Sequence, residues 1–168
     1  FKARLVLVGR TRLPPRGEWQ AYDRLHGYDA VRRATSVIRR LEAKGAEVLY
    51  LTGDVTNPQD MEEVAEKALA QFGAINGVFH AAGMVDDDLM QSKTEERIER
   101  VLAPKALGTT VLDAAFEKVA LDFVILFSST STDTAPAGQA DYVAANAYLN
   151  AYAESCAHRT DRRTVAVH

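Results

Sequence analysis

Short runs of apolar residues alternate with longer segments of helical period along almost the whole chain, and this alternation constrains the fold more than any other feature. The apolar runs predict five strands, at residues 3–8, 46–51, 77–80, 121–127 and 164–168. The segments with apolar residues at helical spacing predict four helices, at residues 30–44, 58–72, 94–118 and 139–159. Strands that are apolar throughout and alternate with helices are typical of a parallel sheet covered on both faces. We therefore predict an α/β fold with a Rossmann-like, doubly wound parallel sheet.

Proline marks two positions in the predicted helices. Asn57 precedes Pro58, which predicts a helix start, because Asn caps free backbone N–H groups and Pro suits the first turn. Pro104 lies inside the segment 94–118 and lacks a backbone N–H, so we expect the helix to be bent or offset there.

Residues 12–29 do not follow the alternation. They hold two prolines, two glycines, the only tryptophan and scattered charges. We predict that this segment is a long surface insertion. No repeat or linker divides the remaining chain, so residues 1–168 are predicted to belong to one domain.

Charge and cysteine content disfavour several classes of function. The formal net charge is −3 and the basic residues are spread along the helices, which disfavours nucleic-acid and anionic-membrane binding. The apolar runs fall far short of the ~20 residues that a membrane span needs. Cys156 has no disulfide partner and the sequence opens at Phe1 without a basic leader, so we expect a cytoplasmic location. The four histidines lack the spacing of metal ligands, so no metal is expected.

Polar and small residues follow the predicted strands, at the edge where open parallel sheets bind ligands. They are Gly9, Arg10 and Thr11 after the first strand, Asp54 and Val55 after the second, and Ala81, Ala82 and Gly83 after the third. A guanidinium at this edge suits a 2′-phosphate, although Arg10 is equally well read as an ordinary solvated charge. The small residues would let a ribose lie close to the backbone, or would simply form a tight strand exit.

A second set of residues could bind a carbonyl oxygen and give it a proton. Tyr142 and Asn146 lie four residues apart on one predicted helical face, and Ser129 lies at a strand end. A phenol donates its proton at neutral pH only with a cation nearby, and Lys105 is a candidate for that cation. The alternative is that Tyr142, like Tyr148 and Tyr152, is a core aromatic of an alanine-rich helix.

Six motifs of the chain resemble the ketoreductase domains of modular (type I) polyketide synthases, within the short-chain dehydrogenase/reductase superfamily. They are V-L-V-G-R at 6–10, D-V-T at 54–56, H-A-A-G at 80–83, L-A-P-K at 102–105, F-S-S at 127–129 and G-Q-A-D-Y-V-A-A-N-A-Y-L at 138–149. Generic members of the superfamily carry Lys four residues after the Tyr, whereas this chain has Asn146 there. That exchange is typical of the polyketide enzymes, which place the cation in the L-A-P-K segment.

The resemblance implies a role for each of these residues. Tyr142 is then the general acid, Ser129 the hydrogen-bond donor to the substrate carbonyl, Lys105 the cation that favours ionisation of the phenol, and Asn146 the completing polar group. Arg10 would bind the 2′-phosphate of NADPH, and Gly9 and Thr11 beside it would be further cofactor-binding residues. Asp54 and Val55 would flank the adenine, and Ala81, Ala82 and Gly83 would pass beneath the ribose.

The same resemblance implies the substrate and the partners. The substrate would be a 3-oxoacyl thioester on the phosphopantetheine arm of an acyl carrier protein, and the other partners would be domains of the same synthase. Val85, Asp86 and Asp87 resemble the L-D-D signature of B-type ketoreductases, which implies substrate guidance and a D-3-hydroxyacyl product. The alternative is that the acidic residues cap the following helix.

One departure from the family pattern concerns the start of the sheet. No G-x-G-x-x-G occurs, and the first apolar run corresponds to the second strand of a dinucleotide-binding fold. In the strand order 3-2-1-4-5-6 the first strand is central, so its absence would leave two unpaired edges. We expect a partial ketoreductase domain from a longer polypeptide. A stand-alone reductase and a catalytically silent reductase half remain open as alternatives.

Overall fold

The computed structural model describes residues 2–168, and its elements follow the predicted order. The strands are β1 (Arg4–Gly9), β2 (Glu47–Thr52), β3 (Gly77–His80), β4 (Phe123–Phe127) and β5 (Arg163–Val167). The helices are α1 (Trp19–Leu25), α2 (Ala30–Ala43), α3 (Pro58–Phe72), α4 (Glu95–Leu102), α5 (Ala106–Ala115), α6 (Ser131–Thr134) and α7 (Ala140–Ser155). All strand pairs are parallel, which agrees with the predicted α/β class.

The described strands form two separate parallel sheets. β1 pairs with β2 in one, and the other has the order β3-β4-β5. Within residues 2–168, β1 and β3 therefore each have one edge without a strand partner. Val8 on β1 and Phe79 on β3 are correspondingly exposed, at 42% and 60%. This is the arrangement predicted for a dinucleotide-binding sheet without its central first strand.

Helix α3 shows how local sequence positions an element against the sheet. The Asn57 side chain accepts hydrogen bonds from the backbone N–H groups of Gln59 and Asp60, and Pro58 occupies the first turn, as predicted. The helix ends at Gly73, whose φ of 78° is left-handed. Its buried residues Met61 and Val64 pack with Val111 of α5 in one core cluster. Both helices also contact the end of β2: Asp60 of α3 accepts from the N–H of Asp54, and Gly108 of α5 lies against Val55.

The segment 12–29, predicted as a surface insertion, contains α1 and buries Trp19. The Trp19 indole N–H donates to the carbonyl oxygen of Pro14 at 2.9 Å, and the ring packs with Ile38 and Val48. Arg16 and Arg39 place their guanidinium groups 5.2 and 5.4 Å from the ring centre. The large apolar surface of one tryptophan thus folds this segment against β2, despite its prolines and glycines.

The predicted long helix over 94–118 is divided into α4 and α5. The division falls at Ala103, Pro104 and Lys105, where the missing N–H of proline favours a break. The break is local. As a result of it, Lys105 immediately precedes α5 and does not lie within a continuous helix.

Two further observations concern membranes and metals. None of the helices described over residues 2–168 is both long enough and apolar enough to cross a bilayer. The same residues hold no group of three His, Cys, Asp or Glu side chains close enough together to bind a metal ion.

Candidate functional site

Lys105 lies at the carboxyl ends of two strands. Its side chain is drawn into the protein, with 5% of the residue exposed, and Nζ donates to the carbonyl oxygen of Phe127 at the end of β4, at 2.7 Å. The residues after β3 lie against the same side chain, because a Cβ added at Gly83 would be 3.0 Å from Lys105 Cε. Burial lowers the pKa of Lys105. The break between α4 and α5 therefore places an amine between the ends of β3 and β4.

The residues after β4 are fixed by hydrogen bonds. Ser129 Oγ accepts from the backbone N–H of Ser131 at 3.1 Å, at the start of α6. A hydroxyl that accepts in this way keeps its own proton for another acceptor. Ser129 is half-buried and lies two residues after Phe127, whose carbonyl oxygen binds Lys105.

Helix α7 is joined to the end of β4 through Asn146. Asn146 is fully buried, and its side-chain Nδ2 donates to the backbone carbonyl oxygen of Tyr142 at 2.7 Å. The backbone carbonyl oxygen of Asn146 accepts from Ser128 Oγ at 3.2 Å. Asn146 Oδ1 has no hydrogen-bond partner among the described residues. Such a buried acceptor is suited to a bound water or ligand. The sequence places Ser128 in the F-S-S motif, but its contact with Asn146 has no signal in the sequence.

The structure thus brings the four predicted catalytic residues to one end of the sheet. Lys105 contacts the last residue of β4, Ser129 follows that strand, and Asn146 connects it to the first turn of α7, which carries Tyr142. A cation, a hydroxyl, a phenol and an amide are the groups needed to bind a carbonyl oxygen and give it a proton. The individual roles stay predictions.

The predicted cofactor-binding residues Gly9, Arg10 and Thr11 lie where β1 and β2 end together. The N–H of Gly53 donates to the carbonyl oxygen of Gly9 at 3.1 Å, and Tyr50 Oη donates to that of Thr11 at 2.7 Å. Arg10 lies between these two fixed residues and is exposed. A fixed backbone with an exposed guanidinium suits a site for an incoming anion.

Asp54 and Val55 are both fixed in place. The Asp54 carboxylate accepts from Thr56 N at 2.9 Å and from Thr56 Oγ1 at 2.8 Å. The backbone hydrogen bond from Thr56, then its side-chain bond, and more weakly the charge of Arg10, lower the pKa of Asp54. Val55 packs on α5, where a Cβ added at Gly108 would lie 2.9 Å from Val55 Cγ1.

The predicted substrate-guiding residues form a loop that is held by ion pairs. Arg97 of α4 contacts Asp86 at 2.7 Å and Asp88 at 2.8 Å. Gln139 Nε2 donates to Asp87 Oδ2 at 2.8 Å, which connects the loop to the start of α7. Val85, in contrast, is 54% exposed. Nothing in the sequence distinguishes Arg97 from an ordinary charged residue on a helix.

The acidic run also bears on the capping alternative. Asp88 Oδ1 accepts from the N–H of Leu89 at 2.8 Å, immediately before a short 3-10 turn at Met90–Ser92. Helix α4 begins later and is capped by Thr94, whose side chain accepts from Arg97 N. The carboxylates therefore stabilise the loop itself, and a role in guiding substrate is compatible with that.

His80 is a buried titratable group that the sequence did not single out as functional. It ends β3 with 2% of its surface exposed, and its Nε2 has no partner among the described residues. Burial, and then the positive charge of Lys105, lower the pKa of His80 to about 4. The imidazole is therefore neutral at pH 7, which avoids a second positive charge beside Lys105.

Acidification is expected to destabilise the protein through His80. Between its ordinary pKa of 6.5 and the folded value of about 4, the unfolded chain binds a proton that the folded chain does not. The free energy of unfolding should therefore fall with decreasing pH across this window, by about 3 kcal/mol at most. Urea unfolding from pH 7 to 4.5 should show a shallower pH dependence for His80→Gln than for the parent. The exposed His158→Gln is the control, and equal slopes for the parent and His80→Gln would contradict the assignment.

Comparison with known proteins adds to this geometry. A family model described as the KR domain matches residues 2–168. The chain is 41% identical over 159 residues to the 6-methylsalicylic acid synthase of Aspergillus terreus (strain NIH 2624 / FGSC A1156), a match that covers 94% of this chain and 9% of the synthase. A crystal structure of an N-terminal ketoreductase from the macrolactin assembly line is similar, with a TM-score of 0.78 and 34% identity, over 92% of this chain and 28% of that one.

A more distant likeness concerns the fold alone. An alcohol dehydrogenase from the archaeon Thermococcus sibiricus, complexed with 5-hydroxy-NADP, has a TM-score of 0.74 and 18% identity, over 97% of this chain and 63% of that one. Together with the closer ketoreductase structure, it confirms the predicted Rossmann-like class. The chain spans about a tenth of the curated synthase, at 9% of its length.

Proposed function

Because this chain belongs to the KR-domain family, within the short-chain dehydrogenase/reductase superfamily, we propose that it reduces a 3-oxoacyl thioester to a 3-hydroxyacyl thioester with NADPH in polyketide biosynthesis. The observation that carries the proposal is the connection of Lys105, Asn146 and Tyr142 through Phe127 and Ser128 at the end of β4. These contacts hold Lys105 and the helix that carries Tyr142 against the strand end that Ser129 follows.

The residues present fit a nicotinamide dinucleotide. Gly83 allows the backbone after β3 to lie against Lys105. A Cβ added at Gly83 would be only 3.0 Å from Lys105 Cε. Arg10 offers an exposed guanidinium at the end of β1, which favours the 2′-phosphate of NADPH over NADH. When bound, NADPH supplies the hydride that the ketone carbon receives.

Four side chains of this chain perform the proton chemistry. Tyr142 gives its phenolic proton to the carbonyl oxygen as that oxygen gains negative charge, and Ser129 donates a hydrogen bond to it. Lys105 stabilises the phenolate that remains, since its Nζ is held as a buried cation by the Phe127 carbonyl. The unsatisfied Oδ1 of Asn146 can hold a water through which the phenolate regains a proton.

The substrate is delivered on the phosphopantetheine arm of an acyl carrier protein, and the other domains of the same synthase are partners. The likeness to a 6-methylsalicylic acid synthase supports this assignment, since that protein is far longer than the matched region. The cytoplasm is the compartment, and the single cysteine, Cys156, is free and buried, as is usual for a reducing environment.

The product is proposed to carry the D-3-hydroxyl. Val85 is exposed beside a loop fixed by Arg97, so it presents one constant surface to an entering thioester. Chiral chromatography of the product made by the complete domain from a 3-oxoacyl thioester and NADPH should show mainly the D isomer. A predominantly L product would contradict the assignment of Val85, Asp86 and Asp87, and no product at all would contradict the function.

A further inference from the structure

Lys93 and Asp141 form an ion pair that is entirely buried. Their side chains are 0% and 1% exposed, and Lys93 Nζ donates to Asp141 Oδ2. The two residues lie 48 positions apart in the sequence. Buried ion pairs are rare because both charged groups must lose their hydration. Such a pair can therefore mark a place where the geometry of the two groups has a use. None of the proposed catalytic roles involves this pair.

The position of Asp141 gives the pair a connection to the site. Asp141 immediately precedes Tyr142 in the first turn of α7, and its Oδ1 accepts from the backbone N–H of Tyr142 at 3.0 Å. One oxygen of the carboxylate therefore holds the amide of Tyr142, while the other holds the ammonium of Lys93. A displacement of Lys93 is transmitted to the backbone that carries the phenol.

The position of Lys93 connects the pair to the loop after β3. Lys93 follows the 3-10 turn Met90–Ser92, which closes that loop. Two further contacts join the loop to the start of α7: Asp88 N donates to the carbonyl oxygen of Gly138 at 2.9 Å, and Gln139 Nε2 donates to Asp87 at 2.8 Å. Both of these lie nearer to solvent, whereas the Lys93 contact is buried.

We propose that Lys93 and Asp141 are a pair of positioning residues that fix the Tyr142 phenol relative to the loop of Val85, Asp86 and Asp87. The proposal rests on the proposed ketone reduction, which it deepens. Neither side chain reaches the reacting atoms, since both are buried beneath the helix start. Their effect is on how well the phenol is aligned with a substrate that the loop orients, and hence on both kcat and the configuration of the product.

The test compares three variants of the complete domain with its parent. Lys93→Met removes the cation, Asp141→Asn removes the negative charge but keeps an acceptor for Tyr142 N–H, and the double variant removes both charges. Replacing both members of a buried pair is tolerated far better than removing one, so the double variant remains folded even where a single variant unfolds. Lys67→Met is the matched control, because it breaks an exposed pair with Glu63 on α3.

The measurements are kcat, the Kd of NADPH, the thermal midpoint and the ratio of D to L product. We expect the double variant to keep a thermal midpoint and an NADPH Kd close to those of the parent, with kcat at least about tenfold lower and a mixed product. Lys67→Met should match the parent in all four. A folded double variant with parental kcat and product ratio would show that the pair is only structural and would overturn the proposal.

Failure of the proposed function gives a different result. If the parent itself does not oxidise NADPH with a 3-oxoacyl thioester, the proposed function is wrong, and the inference about Lys93 and Asp141 is wrong with it. If the parent is active and the folded variants keep its kcat and its product ratio, the function stands and the positioning role alone is refuted.

Discussion

Replacement of Tyr142 by phenylalanine is expected to abolish ketone reduction while leaving NADPH binding unchanged. The substitution removes one oxygen and its proton from the first turn of α7 and leaves the Asn146 contact intact, because that contact uses the Tyr142 backbone carbonyl. Loss of a positioned general acid costs about 10²-fold or more in rate. Steady-state oxidation of NADPH with a 3-oxoacyl thioester measures the rate, and fluorescence titration measures the cofactor Kd.

Tyr148→Phe is the matched control for this experiment. Tyr148 lies on the same helix, is half-buried and stacks with Tyr152 at a ring distance of 6.2 Å. The Tyr148→Phe substitution removes the same atoms from a residue outside the proposed site. The rate of this variant should therefore stay within about twofold of the parent rate. Equal rates for Tyr142→Phe and the parent would restore the reading of Tyr142 as a core aromatic.

Arg10→Ala is expected to weaken NADPH binding by about tenfold or more and NADH binding hardly at all. The guanidinium makes charge-assisted contacts to a 2′-phosphate, which only NADPH carries, and hydrogen bonds to charged groups contribute about 1.5–3 kcal/mol. The backbone on both sides of Arg10 is fixed by Gly53 and Tyr50, so removal of the side chain should not disturb the strand ends.

Titration of both cofactors against the parent, Arg10→Ala and Arg33→Ala tests this selectivity. Arg33 is an exposed arginine on α2 and controls for a general loss of positive charge. If Arg10→Ala weakens NADPH and NADH equally, Arg10 does not bind the 2′-phosphate, and its reading as an ordinary solvated charge is the better one.

Much of the fold follows from local sequence. The five strands are short runs of mainly apolar residues, and such runs are recognisable without any knowledge of their partners. The start of α3 was predictable because Asn57 and Pro58 act within one turn of it. The gap between β1 and β3 was predictable because the strand order of dinucleotide-binding folds makes the first strand central.

The parts that were not predictable depend on contacts between distant residues. Lys105 was identified as a cation near Tyr142, but its bond to the Phe127 carbonyl depends on how the chain breaks at Pro104. The burial of Trp19 depends on Ile38 and Val48 and has no local signal.

The loop after β3 and the start of α7 show the same limit. In sequence Lys93 reads as a surface lysine before a helix cap, because its partner Asp141 lies 48 residues away. Arg97 is likewise an ordinary helical charge until the loop of Asp86 and Asp88 folds against it. The contacts that arrange the site therefore come from tertiary structure, whereas the chemical groups of the site are readable from motifs.

Transfer of a labelled hydride tests the central claim most directly. The complete domain is incubated with a 3-oxoacyl thioester and NADPH in which both hydrogens at C4 of the nicotinamide are deuterium, and the product is examined by mass spectrometry. We predict a 3-hydroxyacyl thioester with one deuterium on C3, formed in equal amount to the NADP⁺ released, and none from the Tyr142→Phe variant. A domain that binds NADPH but forms no deuterated product would contradict the claim that this chain is a ketoreductase.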